Sequence, residues 1–362
     1  MRRAPLGYTT PPIYESRVKY PEQQVPVEEF DTNEPHIVLG RVLSSIPEYP
    51  AKLYKSAFFR HILITGTTGS GKSYTASKIA DRLSRDLKIP VAIVDWHGEY
   101  QRLLSRYTLL TPRELPLQLF TGEPDDLSIL TSIFELTPPQ EYILEKVLRR
   151  RDFVKVKTIG GLLEAVEILP EESTWFRESK LSLHRKLNVL SREEYSDLFK
   201  FYEPTNTTFS KLFVESDKPL LIDVSKIIDL SVKKLYASLL VKRLVNYTMK
   251  SLRQLVVIIE EAQNYLSKQN LIKPICEMLR EIRKFNIGLV VVTQSVSQLV
   301  EDVIANTNTK IIHSVKSKQD LEVIEKAIYM EHSLLSLIPY LEVGEAVYST
   351  ISLKKPILIR VE

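Results

Sequence analysis

Short, continuous apolar runs alternate along the chain with longer segments in which apolar residues recur at helical spacing. Three such runs are His61–Thr65, Val91–Asp95 and Leu220–Val224. Continuous apolar runs are typical of strands that are buried on both faces of a sheet. Helical patterns follow at Lys72–Asp86 and Ser231–Ser251. The alternation predicts an α/β fold with a mostly parallel sheet and helices on both of its faces.

The alternation is interrupted in the middle of the chain and then returns. Between 103 and 219 the pattern is mainly helical, which predicts a helical subdomain inserted into a core formed by 36–102 and 220–362. Residues 1–35 are rich in proline, glutamate and tyrosine and lack periodicity, so we expect an extended arm there.

The composition is not typical of membrane-spanning, secreted or disulfide-rich proteins. No apolar run reaches the ~20 residues of a membrane-spanning helix, and the basic N-terminus has no apolar stretch behind it. The sequence has one cysteine, Cys276, which excludes an internal disulfide and a cysteine-based zinc cluster. We therefore expect a cytoplasmic protein. The net charge of +4 permits a nucleic-acid partner without requiring one.

The segment after the first apolar run matches the phosphate-binding pattern G-x-x-x-x-G-K-[ST]. Its residues are Gly66, Thr67, Thr68, Gly69, Ser70, Gly71, Lys72 and Ser73. Glycines let successive backbone N–H groups turn towards a phosphate, and the following helix adds the positive end of its dipole. Lys72 would neutralise the β- and γ-phosphates, and the Ser73 hydroxyl would bind Mg²⁺. The pattern predicts ATP and Mg²⁺ as cofactors; the alternative is a structural glycine-rich turn.

Two apolar runs end in acidic residues that could serve the metal ion. Val91–Asp95 ends in one carboxylate, whereas Val256–Glu261 ends in two. Adjacent carboxylates can divide the work, because Glu260 would lie beside the metal's direct ligands while Glu261 orients the attacking water. We therefore predict the glutamate pair rather than Asp95. The alternative is a pair of solvated glutamates that open the next helix.

A polar pair, Thr293–Gln294, closes the apolar run that begins at Ile287. The carboxyl ends of core strands line the crevice in which open α/β sheets bind ligands. The Gln294 amide could therefore hydrogen-bond the γ-phosphate or the attacking water. The alternative is an ordinary turn at the end of a strand.

Several segments, taken in order, are similar to one protein family. TGTTGSGKS, VDWHGEY, LIDVSKI, VVIIEEAQNYL, REIRKFNIGLVVVTQ, ANTNTK and LEVGEA resemble the archaeal HerA-type helicases of the FtsK–HerA group, over roughly Ile37–Val361. The resemblance implies a RecA-like P-loop NTPase core with an inserted helical subdomain. It also implies ATP-driven translocation of a homo-hexameric ring along double-stranded DNA, without sequence preference. Two other interpretations stay open: a DNA pump for viral packaging or conjugation, and an ATP-switched scaffold without motor activity.

The resemblance assigns roles to residues of the phosphate loop and of the acidic strand end. Lys72 and Ser73 match the Walker A residues, and Tyr74 joins them in the set expected to contact the nucleotide. Glu260 and Glu261 match the Walker B acids, with glutamate where many relatives have aspartate.

Other roles implied by the resemblance concern sensing and the subunit interface. Gln294 matches the family's glutamine sensor, and Arg283 stands where relatives carry an arginine that reaches a neighbour's nucleotide. A guanidinium supplied in trans would stabilise charge on the transferring phosphoryl group. Arg280 is the competitor for that role, and a solvated helix face is the alternative. His97 and Glu99 could link the nucleotide site to the interface or form a polar turn.

The sequence also departs from the family pattern. Trp96 stands where proline is usual, and Gln263 replaces a frequent histidine. Residues 1–35 are too few for the N-terminal β-barrel that helps to build the ring and docks a NurA-type nuclease. We therefore expect a truncated viral, plasmid or defence-related relative, with that nuclease as a partner only by resemblance. Arg60–His61 also matches the family, although a structural histidine is an equal alternative.

Two segments are candidates for contact with DNA, because phosphate contacts dominate affinity and do not depend on sequence. Lys146–Lys157 is basic with apolar residues between the charges, a pattern that a solvated helix face explains equally well. The segment after the acidic pair carries Tyr265, Lys268 and Gln269, which could line a pore.

Overall fold

The computed structural model describes residues 33–43, 48–149, 156–201, 209, 212–213, 218–251, 254–269 and 271–362. The arm expected at 1–35 lies almost entirely outside these residues. Among the helices in the described ranges, none is both long enough and apolar enough to cross a bilayer.

The strands of the protein fall into one large sheet and one small one. In chain order they are β1 (His36–Val42), β2 (Pro50–Tyr54), β3 (Ile62–Thr65), β4 (Val91–Asp95), β5 (Thr108–Leu110), β6 (Leu117–Gln118), β7 (Phe199–Lys200), β8 (Leu220–Asp223), β9 (Leu255–Ile259), β10 (Ile287–Thr293), β11 (Thr309–Ile312), β12 (Glu345–Ser349) and β13 (Ile357–Val361). The large sheet has 11 strands in the order β2-β1-β13-β12-β11-β3-β10-β9-β4-β8-β5, and β6 pairs with β7. From β11 to β5 all neighbours are parallel, so the predicted mostly parallel sheet is confirmed.

Helices connect the parallel strands and cover the sheet. They are α1 (Lys55–Phe58), α2 (Lys72–Asp86), α3 (Tyr100–Leu103), α4 (Pro124–Phe134), α5 (Pro138–Leu148), α6 (Ile159–Glu167), α7 (Thr174–Leu187), α8 (Leu230–Ser251), α9 (Gln263–Leu266), α10 (Lys273–Glu281), α11 (Glu301–Asn306), α12 (Lys318–Ala327) and α13 (His332–Leu337). A 3-10 segment, Ile282–Phe285, leads from α10 towards β10.

The central strands are buried on both faces, which explains their unbroken apolar sequences. In β9, Val257 and Ile259 belong to the hydrophobic cluster on one face, whereas Val256 and Ile258 belong to the cluster on the other. This is the alternation that the period of two along a strand requires. The central strands therefore form a covered layer, so we expect a ligand site at the ends of these strands.

The helices α4–α7 follow one another between β5 and β8 and share a hydrophobic cluster with one face of the sheet. A buried ion pair anchors them, since Arg243 of α8 donates to Asp126 of α4 at 2.7 Å. The strand β5 lies within the range 103–219 that the sequence predicts to be an insertion, yet it pairs with β8 at the edge of the large sheet. Three residues are too few to produce a periodic signal. The division into core and insertion stays a prediction.

The phosphate-loop strand β3 lies in the middle of the sheet between β11 and β10, and β9 and β4 come next. All five strands run in the same direction. Their carboxyl ends therefore meet at one edge, which brings together the residues that follow Thr65, Asp95, Ile259, Thr293 and Ile312. The residues that precede these strands lie at the opposite edge.

Candidate nucleotide-binding site

The loop from Gly66 to Ser73 has a backbone that only glycine can adopt at its critical points. Gly69 and Gly71 have φ of 78° and 109°, in the left-handed region that L-residues avoid. At Gly66 a Cβ atom would lie 2.6 Å from the Ser70 hydroxyl and 2.7 Å from the His313 Cβ. The glycines therefore permit both the turn and its close packing, as the phosphate-loop pattern requires.

The loop presents polar groups suited to a phosphate. Lys72, the first residue of α2, donates from Nζ to the Thr67 carbonyl at 3.0 Å, so its ammonium lies back over the loop. Burial lowers the pKa of Lys72, an effect opposed by the charges of Glu261 and Glu260. The buried Ser70 hydroxyl has no partner within the described part of the chain. An unpaired hydroxyl and a loop-facing ammonium fit an anion better than a merely structural turn.

Glu260 and Glu99 approach the Ser73 hydroxyl, which makes them the acids nearest to a magnesium ligand. The distances from Ser73 Oγ are 3.1 Å to Glu260 Oε1 and 3.3 Å to Glu99 Oε2. Burial, and next the charge of Asp95, raise the pKa of Glu260 to about 8. A nearby cation would relieve this cost, because an opposite charge favours the ionised carboxylate.

These residues fit Mg²⁺ held jointly with a nucleotide. Within the described ranges no cluster of three histidine, cysteine, aspartate or glutamate side chains could hold a metal ion by itself. Mg²⁺ is usually bound through few protein oxygens together with substrate phosphates and water. Ser73 would be the direct protein ligand, and Glu260 would lie beside it.

Asp95 is the other acid considered for the metal, and its carboxylate accepts hydrogen bonds from the backbone of the turn that follows β4. Its Oδ1 accepts the backbone N–H groups of His97, Gly98 and Glu99 at 3.2, 2.8 and 3.2 Å. Its Oδ2 accepts the N–H group of Tyr100 at 3.1 Å. The carboxylate thus fixes the turn after β4, and this geometry favours Glu260 as the acid beside Ser73.

Glu261 is linked to the phosphate loop through Gln294. The amide Nε2 of Gln294 donates to Glu261 Oε1 at 2.7 Å, and Thr68 donates to the Gln294 Oε1 at 2.9 Å. His97 Nε2 is 3.4 Å from the same Glu261 oxygen. The backbone of Glu261 has φ of 48°, a strained conformation that recurs at functional sites. A chain of hydrogen bonds therefore joins the loop, the glutamine and the acid.

His313 supports the phosphate loop through hydrogen bonds, a role that its sequence context does not predict. Its backbone N–H donates to the Thr65 carbonyl at 2.9 Å. Its Nδ1 faces the Glu345 carbonyl at 2.8 Å and must carry the proton, so Nε2 accepts from the Thr75 hydroxyl at 2.9 Å. Burial lowers the pKa of His313 to about 4, which keeps the ring neutral. A lone histidine after a short strand gives no sequence signal for such a role.

His61 is a structural histidine at the opposite edge of the sheet. Its Nδ1 accepts the Leu289 N–H at 3.1 Å, and its Nε2 donates to the Leu279 carbonyl at 2.9 Å. Burial lowers its pKa to about 4. These contacts favour the structural alternative for His61, and Arg60, which precedes it, lies at the same edge of the sheet.

Arg283 lies far from the phosphate loop of its own chain. It precedes β10, whereas Gln294 follows that strand, and the strand's seven residues span about 20 Å. Arg283 is exposed, while the competing Arg280 forms an ion pair with Asp302. An arginine in this position could reach a nucleotide only on another molecule.

The sequence predicts that Tyr74 contacts the nucleotide and that three residues after the acidic pair line a pore. Tyr74 is half-buried against the core beneath α2, and the Lys78 ammonium lies 4.9 Å from its ring centre. Tyr265 is 1% exposed and packs edge-on against Trp96 at 5.5 Å, so the expectation that it could line a pore is wrong. Lys268 and Gln269 are exposed.

The basic segment Lys146–Lys157 is only partly described. Lys146 forms an ion pair with Glu172, and Arg149 forms one with Glu145 at 3.1 Å. Residues 150–155 lie outside the described part of the chain. DNA contact by this segment therefore stays a prediction.

A cavity of about 670 Å³ lies in the helical region, away from the phosphate loop. Phe120, Leu127 and Phe201 contribute apolar walls, and Glu141 and Glu145 contribute acidic ones. The lining also includes Arg149, but its charge is paired with Glu145. The remaining carboxylates would repel a triphosphate, so the loop is the candidate nucleotide site.

Comparison with known proteins relates the chain to one protein family. The family model described as "Helicase HerA, central domain" matches residues 37–244. The DNA double-strand break repair helicase HerA of Saccharolobus solfataricus is 26% identical over 343 residues, covering 86% of this chain and 66% of the relative. HerA of Pyrococcus furiosus is 25% identical over 361 residues, covering 83% and 65%. The chain thus spans about two thirds of the length of these curated relatives.

Two solved structures share the fold over almost the whole chain. VirB4 of Thermoanaerobacter pseudethanolicus has a TM-score of 0.69 at 19% identity, covering 92% of this chain and 97% of that one. The plasmid coupling protein TrwB, solved in complex with ADP and Mg²⁺, has a TM-score of 0.67 at 14% identity, covering 94% and 92%. The predicted α/β fold of P-loop NTPases is confirmed.

The buried Glu260 carboxylate predicts a pH-dependent cost in stability. Because its pKa is raised from 4.5 to about 8 on folding, ionisation destabilises the protein increasingly between those values. Without nucleotide and with EDTA, we expect Glu260→Gln to match the wild type near pH 4.5. At pH 8 it should be more stable by on the order of 1 kcal/mol or more, measured by urea unfolding.

The exposed Glu331 provides the control, because Glu331→Gln should show no difference that grows with pH. An equal free energy of unfolding for Glu260→Gln and the wild type across this range would contradict the cost of ionising the buried Glu260 carboxyl.

Proposed function

The chain belongs to the HerA central-domain family of P-loop ATPases, and from this premise we propose that it hydrolyses ATP to move along double-stranded DNA. The observation that carries the proposal is the hydrogen-bonded convergence of the phosphate loop, the paired glutamates and Gln294 at one edge of the sheet. The HerA relatives are named DNA double-strand break repair helicases, which suggests duplex DNA as the substrate.

The loop would bind the triphosphate through its backbone N–H groups and the Lys72 ammonium. Lys72 lies on the loop already, so a phosphate oxygen can take the place of the Thr67 carbonyl as acceptor. When bound, Mg²⁺ would neutralise charge between the β- and γ-phosphates. Ser73 would bind that ion, with Glu260 holding the hydroxyl in place.

Glu261 would orient the attacking water, and Gln294 would contact the γ-phosphate. Phosphoryl transfer needs positioning and electrostatic stabilisation more than covalent help from the protein. Gln294 bridges Thr68 of the loop and Glu261, so a change at the γ-phosphate can be passed to the acid. The network thus supports hydrolysis and a means of sensing it.

We extend the proposal to a homo-hexameric ring in which Arg283 acts on a neighbouring subunit. The support is its exposed position at the sheet edge opposite the loop, since no rotation of the side chain can span β10. Arg60 precedes His61 at the same edge and is a second source of positive charge there. By family membership alone, the proposal includes a NurA-type nuclease partner.

The core 36–102 and 220–362 would be the motor, with 103–219 as its helical subdomain. Contact with DNA would come from basic groups on the surface, such as the exposed Lys268 in the segment that follows β9 and the paired glutamates. Packaging and conjugation pumps use the same chemistry and stay within this proposal. A scaffold without motor activity would hydrolyse ATP independently of DNA.

The dependence of ATP turnover on duplex DNA tests the proposed motor function. Wild-type protein should hydrolyse ATP faster with duplex DNA than without it, measured by phosphate release. Lys72→Ala should abolish turnover, because it removes the charge that neutralises the triphosphate. Glu261→Gln should bind a fluorescent ATP analogue normally and hydrolyse ATP at least about 100-fold more slowly, since water is no longer oriented.

Arg85→Ala is the matched control, because it removes an exposed charge from the last turn of the same helix as Lys72. It should keep wild-type turnover. Full activity of Lys72→Ala would end the ATPase proposal, and turnover unaffected by DNA would favour the scaffold.

Mixing two inactive variants tests whether Arg283 acts on a neighbouring subunit. Arg283→Ala and Lys72→Ala proteins should each be inactive, the first lacking the trans cation and the second the loop cation. Mixed together, they should recover part of the activity, since some interfaces would then pair an intact loop with an intact arginine.

Arg280→Ala, one helical turn away and paired with Asp302, should keep activity by itself. If the mixture stays inactive although mass measurement shows mixed oligomers, Arg283 does not act on the neighbour. Activity lost in Arg280→Ala instead would transfer the role to that residue.

A further inference from the structure

Both carboxylate oxygens of Glu261 are held by side-chain amides, each from a different glutamine. Gln294 donates to Oε1 at 2.7 Å, and Gln263 donates to Oε2. A carboxylate can only accept hydrogen bonds, so the amide nitrogen of each glutamine must face it. The Glu261 carboxylate therefore fixes the orientation of both amides.

The two amides are anchored on different parts of the molecule. The Gln294 carbonyl accepts from Thr68, which belongs to the phosphate loop, at 2.9 Å. The Gln263 carbonyl accepts from Thr293, the last residue of β10, at 2.7 Å. The Thr293 hydroxyl is also 3.2 Å from the Ser295 carbonyl, but the shorter contact takes the hydrogen.

Because the two glutamines are anchored differently, we expect Gln294 to change its partner more easily than Gln263 does. A triphosphate in the proposed site would compete for Thr68 and Gln294, because Thr68 belongs to the phosphate loop and Gln294 is hydrogen-bonded to it. Thr293 is 1% exposed at the end of a core strand, and Gln263 is half-buried at the start of α9. The Gln294 contact can therefore break on binding while the Gln263 contact persists.

Glu261 needs such a persistent contact. Its backbone is already fixed in the left-handed region, and the next residue, Ala262, donates to the Val292 carbonyl of β10 at 3.0 Å. Among the described residues, His97 also approaches the Glu261 side chain, but its Nε2 is 3.4 Å from Oε1 and the ring is about half exposed. Once Gln294 has turned away, the Gln263 amide is therefore the firmer contact that limits rotation of the carboxylate. Misplacing a catalytic group by about 1 Å can cost on the order of 100-fold in rate.

We propose that Gln263, oriented by Thr293, is a positioning residue that keeps Glu261 aimed at the attacking water after Gln294 has turned to the γ-phosphate. The inference rests on the proposed ATPase function. Gln294 is then the exchangeable partner of the acid, and Gln263 the constant one.

The test is the steady-state kinetics of ATP hydrolysis by variants of the two residues. Gln263→Met keeps the length of the side chain and removes its hydrogen bonds, so kcat should fall about 10- to 100-fold, the value of a hydrogen bond to a charged group. KM and the affinity for a fluorescent ATP analogue should stay within about twofold, because the loop is untouched. Gln263→Glu, which puts a carboxylate against Glu261, should lower kcat at least as far.

Thr293 supplies the rescue experiment. Thr293→Val keeps the shape but loses the hydroxyl, so kcat should fall in the same direction; Thr293→Ser restores the hydroxyl and should restore kcat. The double variant Gln263→Met with Thr293→Val should be no slower than Gln263→Met, since the two act as one unit. Thr309→Val is the matched control, because it removes a buried threonine hydroxyl at the far end of the sheet and should leave kcat unchanged.

The outcomes separate this inference from the function on which it rests. A wild-type protein without ATP hydrolysis would overturn both. An active wild type with unchanged kcat in Gln263→Met would overturn the role of Gln263 alone. A rise in KM that accounts for the whole loss, or a Thr293→Ser variant as slow as Thr293→Val, would show a structural effect and contradict positioning.

Discussion

The parallel register of β3, β10 and β9 is the constraint on which the site depends. Thr65 is paired with Thr293, and Ile259 with Val291, so the chain leaves β9 two residues earlier than it leaves β10. That offset places the glutamates after β9 beside the amide after β10, and both beside the loop after β3. A slip of one residue in any of these strands would turn every side chain to the other face and separate the groups.

The site contains two buried ionisable side chains, Glu260 and Lys72, whose charged forms are not fully stabilised by the protein itself. Burial raises the pKa of the Glu260 carboxyl and lowers the pKa of the Lys72 ammonium, so each charged form is disfavoured until an opposite charge arrives. Two neutral groups, His313 and Gln294, hold the loop without adding charge. Preorganised polar groups of this kind need little rearrangement when the transition state forms. The proposed binding of Mg²⁺ and a triphosphate would supply the opposite charges and offset the stability that these buried groups cost.

The sequence predicts the parallel sheet and the phosphate loop because both follow from local patterns: unbroken apolar runs and glycines at fixed spacing. The proximity of Glu260 to Ser73 also follows, since acids at the ends of parallel strands share one edge. The sequence does not predict that the Asp95 carboxylate accepts hydrogen bonds from the backbone of the following turn, because every residue except proline carries a backbone N–H group. Neither the burial of Tyr265 nor the bracing by His313 is visible, since each depends on packing between segments far apart in the chain. The three-residue strand β5 is too short to be recognised by periodicity.

A structure determined with a non-hydrolysable ATP analogue and Mg²⁺ tests the central claim most directly. We expect the γ-phosphate within hydrogen-bond distance of Lys72 Nζ and the Gln294 amide, with the metal on Ser73 and Glu260 beside it. Glu261 should face the γ-phosphate while still bound to Gln263. A nucleotide bound elsewhere, such as in the cavity beside Phe120 and Phe201, or one bound to the loop with the two glutamates turned away, would contradict it.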